Sequence, residues 1–304
     1  MPARATASAA SCQPASAPLL SVRGLSKHFP IYEPGFRWKV SGAVKAVDNV
    51  SFDLAPGESL GLVGESGSGK TTTARCLLRA IPPTAGETLF RLPDGRVVDL
   101  ARLSDRELKP VRQHAQMVFQ DPFSSLNPRM TVRDIVGEPL VIHRLAQGAE
   151  LDDRVSDVLA RVGLKPEHRS RYPHAFSGGQ RQRIGIARAL IMRPSLIVCD
   201  EATSALDTSV QAQVLDLLKE LQREFQLTYL FVAHNLDVVR GFCDRVAVMR
   251  KGRLVEVAAT EAIFTAPQHP YTRILLSAVP SPDPDIPMNL NVAEELAKLD
   301  AMTG

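Results

Sequence analysis

The sequence predicts an α/β fold with an antiparallel β start, an α/β core built on a doubly covered parallel sheet, and an inserted helical segment. Three observations predict it. Residues 59–81 read as a strand, a glycine loop and a helix in direct succession. Leu196-Ile197-Val198-Cys199 and Thr228–Ala233 are continuously apolar, as strands covered on both faces should be. Residues 121–190 are mainly helical in pattern, with loops at Asn127-Pro128 and Tyr172-Pro173.

Residues 1–18 are rich in Ala, Ser and Pro and lack the apolar stretch of a signal peptide, so a disordered tail is expected. Residues 21–29 and 44–54 read as strands, joined by an irregular segment holding Pro30, Pro34, Gly35 and Trp38. Pro56-Gly57-Glu58 turns into the strand at 59–63. The helix over 70–81 carries Ala74, Leu77, Leu78 and Ile81 on one face and stops at Pro82-Pro83. Residues 84–119 mix short strands and turns, ending in Met117-Val118-Phe119. Val210, Val214, Leu217, Leu218, Leu221 and Phe225 recur at helical spacing. Val246–Met249 and Leu254–Val257 flank a hairpin turn at Lys251-Gly252. Beyond residue 265 the chain is Pro-rich with little periodicity until 293–301. No internal repeat is visible, so the chain holds one such unit.

A chain of 304 residues accommodates one large domain plus an appendage, and 44% hydrophobic residues sustain a core. Thirty-six Lys and Arg against 33 Asp and Glu leave a formal charge of +3, and no long basic block indicates a nucleic-acid surface. The longest apolar run, Tyr229–Ala233, is far short of a membrane span, so work at a membrane requires another chain to supply the anchor. Cys12, Cys76, Cys199 and Cys243 show no metal or redox spacing, which suits a reducing cytosol.

The chemistry begins at Gly64-Glu65-Ser66-Gly67-Ser68-Gly69-Lys70-Thr71, which satisfies every fixed position of the G-x-x-x-x-G-K-[ST] phosphate loop. Its glycines let backbone N–H groups close around phosphates, Lys70 can reach the β- and γ-phosphates, and the Thr71 hydroxyl can bind Mg²⁺. The helix that follows points its N-terminal dipole at the same anion. Asp200-Glu201 directly follows an apolar strand. Asp200 there can hold Mg²⁺, and Glu201 can orient or deprotonate an attacking water. His234 ends the next apolar strand, where it can hydrogen-bond the γ-phosphate. Ser177-Gly178-Gly179-Gln180 opens a helix and makes a second anion site. Two such sites in one chain point to a facing subunit's nucleotide, the alternative being a tight helix-capping turn.

Together these motifs resemble the ATP-binding-cassette ATPases, over roughly residues 20–280. Walker A, Gln120, Ser177-Gly178-Gly179-Gln180, Asp200-Glu201, Ser204-Ala205-Leu206-Asp207 and His234 stand in the family's order. Phe119-Gln120-Asp121-Pro122-Phe123-Ser124-Ser125-Leu126-Asn127-Pro128-Arg129-Met130, Arg171-Tyr172-Pro173-His174 and Gln268-His269-Pro270-Tyr271-Thr272 are similar to the oligopeptide, dipeptide and nickel importer group.

The resemblance implies a P-loop nucleotide-binding domain over 19–265, with a RecA-like core, an antiparallel β subdomain and a helical subdomain at about 121–190. A C-terminal extension of the oligopeptide-transporter type follows at 266–304. It implies ATP and Mg²⁺ as ligands, and no iron–sulfur centre, since no cysteine follows Cys243. Lys70, Thr71, Thr72, Gln120, Asp200, Glu201 and His234 serve one nucleotide in this reading. Thr71, Gln120 and Asp200 bind the metal, and Glu201, His234 and Lys70 act in catalysis. Ser177, Gly178, Gly179 and Gln180 face the opposite nucleotide, and Asp207 lies at the dimer seam. Residues 121–135 form the groove for a permease.

Partners implied are two integral-membrane permeases, a second and distinct ATPase subunit, and indirectly an extracytoplasmic solute-binding protein, with no nucleic acid. The location implied is the cytoplasmic face of the cell membrane. The expected cargo class is peptides, with nickel, glutathione or another solute as the alternative. Phe29 is the first choice for stacking on adenine, ahead of Tyr32 and Trp38. The group commonly has Cys at Ser68, Ser at Thr71 and Asp at Asn235. Thr71 keeps the hydroxyl, and Asn235 can still cap a helix. A soluble cassette acting on ribosomes or DNA is the rival from another class; such proteins carry two cassettes or a long coiled coil, and neither is present.

Overall fold

The computed structural model describes residues 17–33, 39–121, 124–204, 206–278 and 291–303. The expected tail at its first sixteen positions lies outside these residues, as do Trp38, Pro122, Phe123 and Ala205.

The chain opens with two long strands, β1 (Leu20–Glu33) and β2 (Lys39–Leu54). Then follow β3 (Ser59–Val63), α1 (Lys70–Leu77), β4 (Ala85–Arg91), β5 (Val97–Asp99), α2 (Asp105–Val111) and β6 (Ala115–Val118). The middle of the chain is helical: α3 (Val132–Ile142), α4 (Gly148–Arg161) and α5 (Gly178–Leu190). Next come β7 (Leu196–Asp200), α6 (Thr208–Phe225), β8 (Thr228–Val232), α7 (Leu236–Phe242), β9 (Arg245–Arg250) and β10 (Arg253–Ala259). Three helices close the chain: α8 (Thr260–Thr265), α9 (Pro270–Ser277) and α10 (Val292–Thr303).

Two sheets result. Strands β2-β1-β4-β5 form an antiparallel sheet of four. The second has the order β10-β9-β3-β8-β7-β6; its last five strands run parallel and β10 pairs antiparallel on the edge. The continuously apolar strands are explained by burial on both faces. Val63, Ile197, Cys199, Tyr229 and Phe231 join the core under the helices, whereas Leu60, Leu62, Leu196, Val198, Leu230 and Val232 join the core under the antiparallel sheet. Alternate residues therefore feed opposite cores, as the two-residue period of a strand requires. Lys251 and Gly252 both take positive φ, 46° and 83°, which a two-residue turn of the I′ type between β9 and β10 demands.

Several expectations are corrected. β1 runs through Pro30 instead of ending before it. Beyond Ser26, β1 has only β2 as a neighbour, and a proline without an N–H is tolerated on such a free edge. Helix α1 stops at Leu77, before the prolines, because Arg79 turns into the left-handed region at φ 55°. The stretch 84–119, read as strands and turns, also contains α2. Its signal was present: Ser104 and Glu107 form a reciprocal capping box, each side chain bonding the other's backbone N–H. The Pro-rich tail contains α9, and α8 (Thr260–Thr265) stands just before it. His269 caps α9, Pro270 occupies its first turn, and Tyr271 and Thr272 are buried.

Among the described residues, no helix is long and apolar enough to cross a membrane.

Candidate functional site

The phosphate loop lies between β3 and α1, at the C-terminal ends of the parallel strands, where ligands of open α/β sheets gather. Two of its glycines are required by close approach. A Cβ on Gly64 (φ 150°) would stand 2.1 Å from the Met249 carbonyl oxygen, and one on Gly69 (φ 104°) 2.1 Å from that of Ala46. Strands β9 and β2 thus form the floor on which the loop rests. Lys70 is buried, and its Nζ donates to the carbonyls of Gly64 and Glu65 at 2.8 Å each. Burial holds its pKa below the usual lysine value, while Glu201, Glu65 and Asp200 oppose the shift.

Asp200 ends β7, and Glu201 follows at φ 48°. That left-handed turn directs the two carboxylates to different partners. Thr71 Oγ1 donates to Asp200 Oδ1 at 2.9 Å, and Arg75 Nη2 lies 3.9 Å from Asp200 Oδ2. Glu201 Oε2 accepts from Gln120 Nε2 at 2.7 Å and lies 3.4 Å from His234 Nδ1. A cavity of about 90 Å³ adjoins Glu201 and His234, bordered by Thr203, Gln211 and Asn235. It is large enough for water.

Lys70, Thr71, Gln120, Asp200, Glu201 and His234 are therefore brought together from four separate stretches of chain. Gln120 joins Glu201 here instead of the Thr71–Asp200 pair. Glu65 accepts from Lys70 through its carbonyl, Ser68 is buried behind the lysine at 3.4 Å, and Ser66 and Gly67 stay exposed at the loop's tip. Thr72 is half-buried in the first turn of α1.

Ser177, Gly178, Gly179 and Gln180 are not joined to that cluster by any hydrogen bond among the described residues. They open α5 through a capping box: Ser177 Oγ accepts from Gln180 N, and Ser177 N donates to Gln180 Oε1 at 3.1 Å. A Cβ on Gly179 would approach Val210 Cγ1 to 2.4 Å, so the second glycine is imposed by the packing of α5 on α6. Asp207 caps α6 by accepting from Val210 N at 3.0 Å, and that bond holds its carboxyl below the usual range. Phe29 is 38% exposed on β1 and pairs with Val44, two residues from the Ala46 carbonyl that floors the loop. Asn235 caps α7, accepting from Asp237 N at 2.9 Å.

Sequence reasoning missed Arg75. It stands four residues after Thr71 on α1, and that helical spacing was a usable signal.

Burial raises the Asp200 pKa above the usual 3.8, against the Thr71 hydrogen bond and the Arg75 charge. The ionised form is the costly one, so the penalty is absent at low pH and develops as pH rises past the ordinary aspartate value. Asp200→Asn should therefore raise the thermal midpoint of the nucleotide-free protein at neutral pH while abolishing most ATP hydrolysis. The midpoint gap should close as pH falls toward 3.8. Thermal melts of both proteins across that range check it, and a midpoint lowered at neutral pH would refute the assigned cost.

A strand–phosphate loop–helix unit, two carboxylates at the end of the neighbouring strand and a histidine at the end of the next define a nucleoside-triphosphatase of the cassette class. The comparisons agree. The ABC transporter family pattern matches residues 47–204, and the pattern of the oligopeptide/dipeptide transporter C-terminal region matches 255–303. A putative peptide import ATP-binding protein of Brucella ovis is 54% identical over 268 residues, covering 88% of this chain and 80% of that one. The oligopeptide transport ATP-binding protein AppF of Bacillus subtilis is 53% identical over 263 residues, covering 86% and 78%. Among solved structures, a dimeric ATP-binding cassette in a post-hydrolysis state, bound to ADP and Pi, superposes with a TM-score of 0.67 at 28% identity, over 79% of this chain and 98% of that one. The chain belongs to the ABC transporter family and is one of its ATP-binding, ATP-hydrolysing cassettes.

Proposed function

We propose that this chain is the ATPase subunit of a membrane importer that takes up peptides or a chemically related solute. The cargo class is supported by the C-terminal match and by relatives named for peptide and oligopeptide import. A relative named for glutathione import, from Salmonella choleraesuis, is 51% identical over 286 residues, covering 90% of this chain and 45% of that one, and keeps a glutathione-like peptide within the range.

The observation that carries the ATPase mechanism is the sharing of Glu201 Oε2 by Gln120 and His234, beside the Thr71–Asp200 pair. Lys70 and the loop's N–H groups bind the β- and γ-phosphates. Thr71 and Asp200 present hard oxygen donors 2.9 Å apart, which fits Mg²⁺, a cation that takes one or two protein oxygens and fills the rest from phosphate and water. Magnesium bound there supplies charge neutralisation across the phosphates. Glu201 orients the attacking water and accepts its proton, and His234 and Gln120 hold that carboxylate in place. Lys70 and His234 stabilise the charge that develops on the γ-phosphate.

Ser177 and Gly179 serve the nucleotide of a facing cassette, with Asp207 at the seam, and Phe29 stacks on adenine. The facing cassette is a distinct subunit. Closure of the two on ATP drives a pair of permeases, and hydrolysis resets them. Residues 121–135 form the groove that receives a permease, and a cleft of about 450 Å³ lined by Met117, Phe119, Glu138, Pro139 and Arg188 is a further candidate surface for that contact. The chain thereby works at the cytoplasmic face of the membrane.

The test is a pull-down of the tagged protein from detergent-solubilised membranes, with ATPase activity measured on the eluate. Two integral-membrane permeases and a second cassette chain are expected. Recovery of ribosomes or nucleic acid in their place would remove the transport assignment and leave the ATPase site standing.

A further inference from the structure

Tyr271 lies wholly buried in α9, 206 positions along the chain from the phosphate loop, yet its hydroxyl oxygen accepts the backbone N–H of Glu65 at 3.1 Å. That N–H belongs to the peptide unit between Gly64 and Glu65. The carbonyl oxygen of the same unit accepts from Lys70 Nζ at 2.8 Å. One peptide plane is thus held at its oxygen by Lys70 and at its hydrogen by Tyr271. Hydrogen bonds in series through one peptide polarise and orient each other.

Tyr271 is itself held firmly. Its backbone N–H donates to His269 Nδ1 at 3.1 Å, and the N–H groups of Gln268 and His269 donate to the Glu256 carboxylate at 2.8 and 3.0 Å. The Arg250 guanidinium stands 5.0 Å from the ring centroid and donates to the Leu296 carbonyl of α10 at 3.4 Å. Arg250 of β9, Glu256 of β10 and His269 thus fix the segment that carries the tyrosine whose hydroxyl touches the loop.

We propose that Tyr271 is a positioning residue for nucleotide binding: it presets the Gly64–Glu65 peptide, and through it Lys70, and makes phosphate affinity depend on the C-terminal region of the chain. This rests on the reading of residues 64–71 as the ATP site. Tyr271→Phe keeps the buried ring and removes only the acceptor, leaving the Glu65 N–H without its partner.

The experiment uses the full chain. ADP binding is measured by calorimetry, KM and kcat for ATP by steady-state hydrolysis, and backbone exchange by mass spectrometry, for wild type and Tyr271→Phe. Expected are a rise of about fivefold in the ADP Kd and the ATP KM, the effect of one hydrogen bond, with kcat within about twofold. Faster exchange should be confined to the loop around Glu65. An ADP affinity equal to wild type, or faster exchange spread throughout β3, would overturn the proposal, since a purely structural tyrosine loosens the core without singling out the loop. A wild-type chain that fails to bind ADP would overturn the site reading itself, which keeps the two failures distinct.

Discussion

Glu201→Gln should bind ATP as tightly as the wild-type chain and hydrolyse it about a hundred- to ten-thousandfold more slowly, the span that a positioned general base supplies. The structure explains why binding survives. A glutamine amide oxygen can still accept from Gln120 Nε2, which lies 2.7 Å from Glu201 Oε2, and the Thr71–Asp200 pair stands apart at 2.9 Å. What disappears is the only carboxylate within reach of both Gln120 and His234 among the described residues. Single-turnover hydrolysis beside equilibrium binding separates the two effects. Near-normal turnover in the variant would show that another group takes the proton.

Gly69→Ala should be severely damaging at the phosphate loop. The added Cβ would meet the Ala46 carbonyl oxygen at 2.1 Å and Met249 Cε at 2.8 Å, at a φ of 104° that disfavours any side chain. The first collision is with backbone in β2, so a rotamer change cannot relieve it. Strain and overpacking together should cost about 3 kcal/mol. A loop displaced by an ångström should weaken ADP binding and slow hydrolysis about a hundredfold. Gly67→Ala supplies the contrast. Its φ is 79°, but nothing lies within 4 Å of the new Cβ, so it should lose only the backbone term, about 1 kcal/mol. Denaturant unfolding and ADP titration of both variants measure the difference. Equal losses would mean that φ alone, and not the fit of the loop against β2 and β9, sets the requirement for glycine.

These two variants mark the boundary between what was legible and what was not. Glu201 and His234 could be picked from the sequence because each follows an unbroken apolar run, and such runs end where a parallel sheet presents its ligands. Lys70 and Thr71 were legible because the phosphate loop is contiguous, its spacing set by the size of a phosphate. The α2 capping box was written in Ser104 and Glu107 but lay in a stretch whose short apolar runs and turns read as strands. Helix α9 was hidden for another reason: its first residue is a proline, and it spans only eight residues, Pro270–Ser277.

The Ser177–Gln180 turn shows one of its two sequence readings, the helix-capping turn. The capping box is internal to the chain and visible. Its proposed role toward a facing nucleotide depends on a second subunit. Gly179 is demanded by Val210, a neighbour from α6 that no local pattern announces.

The sequence alone determined the class of fold, the phosphate loop, the two carboxylates and the strand-end histidine, because each is a local pattern whose period or spacing follows from helix, strand or phosphate geometry. Only the tertiary structure decided that Gln120 and His234 share one oxygen of Glu201, that β2 and β9 floor the loop, and that Tyr271 holds the peptide beneath Lys70. Those contacts join residues dozens to hundreds of positions apart. Their geometry is set by how two sheets and their cores pack, and packing is a property of the whole chain.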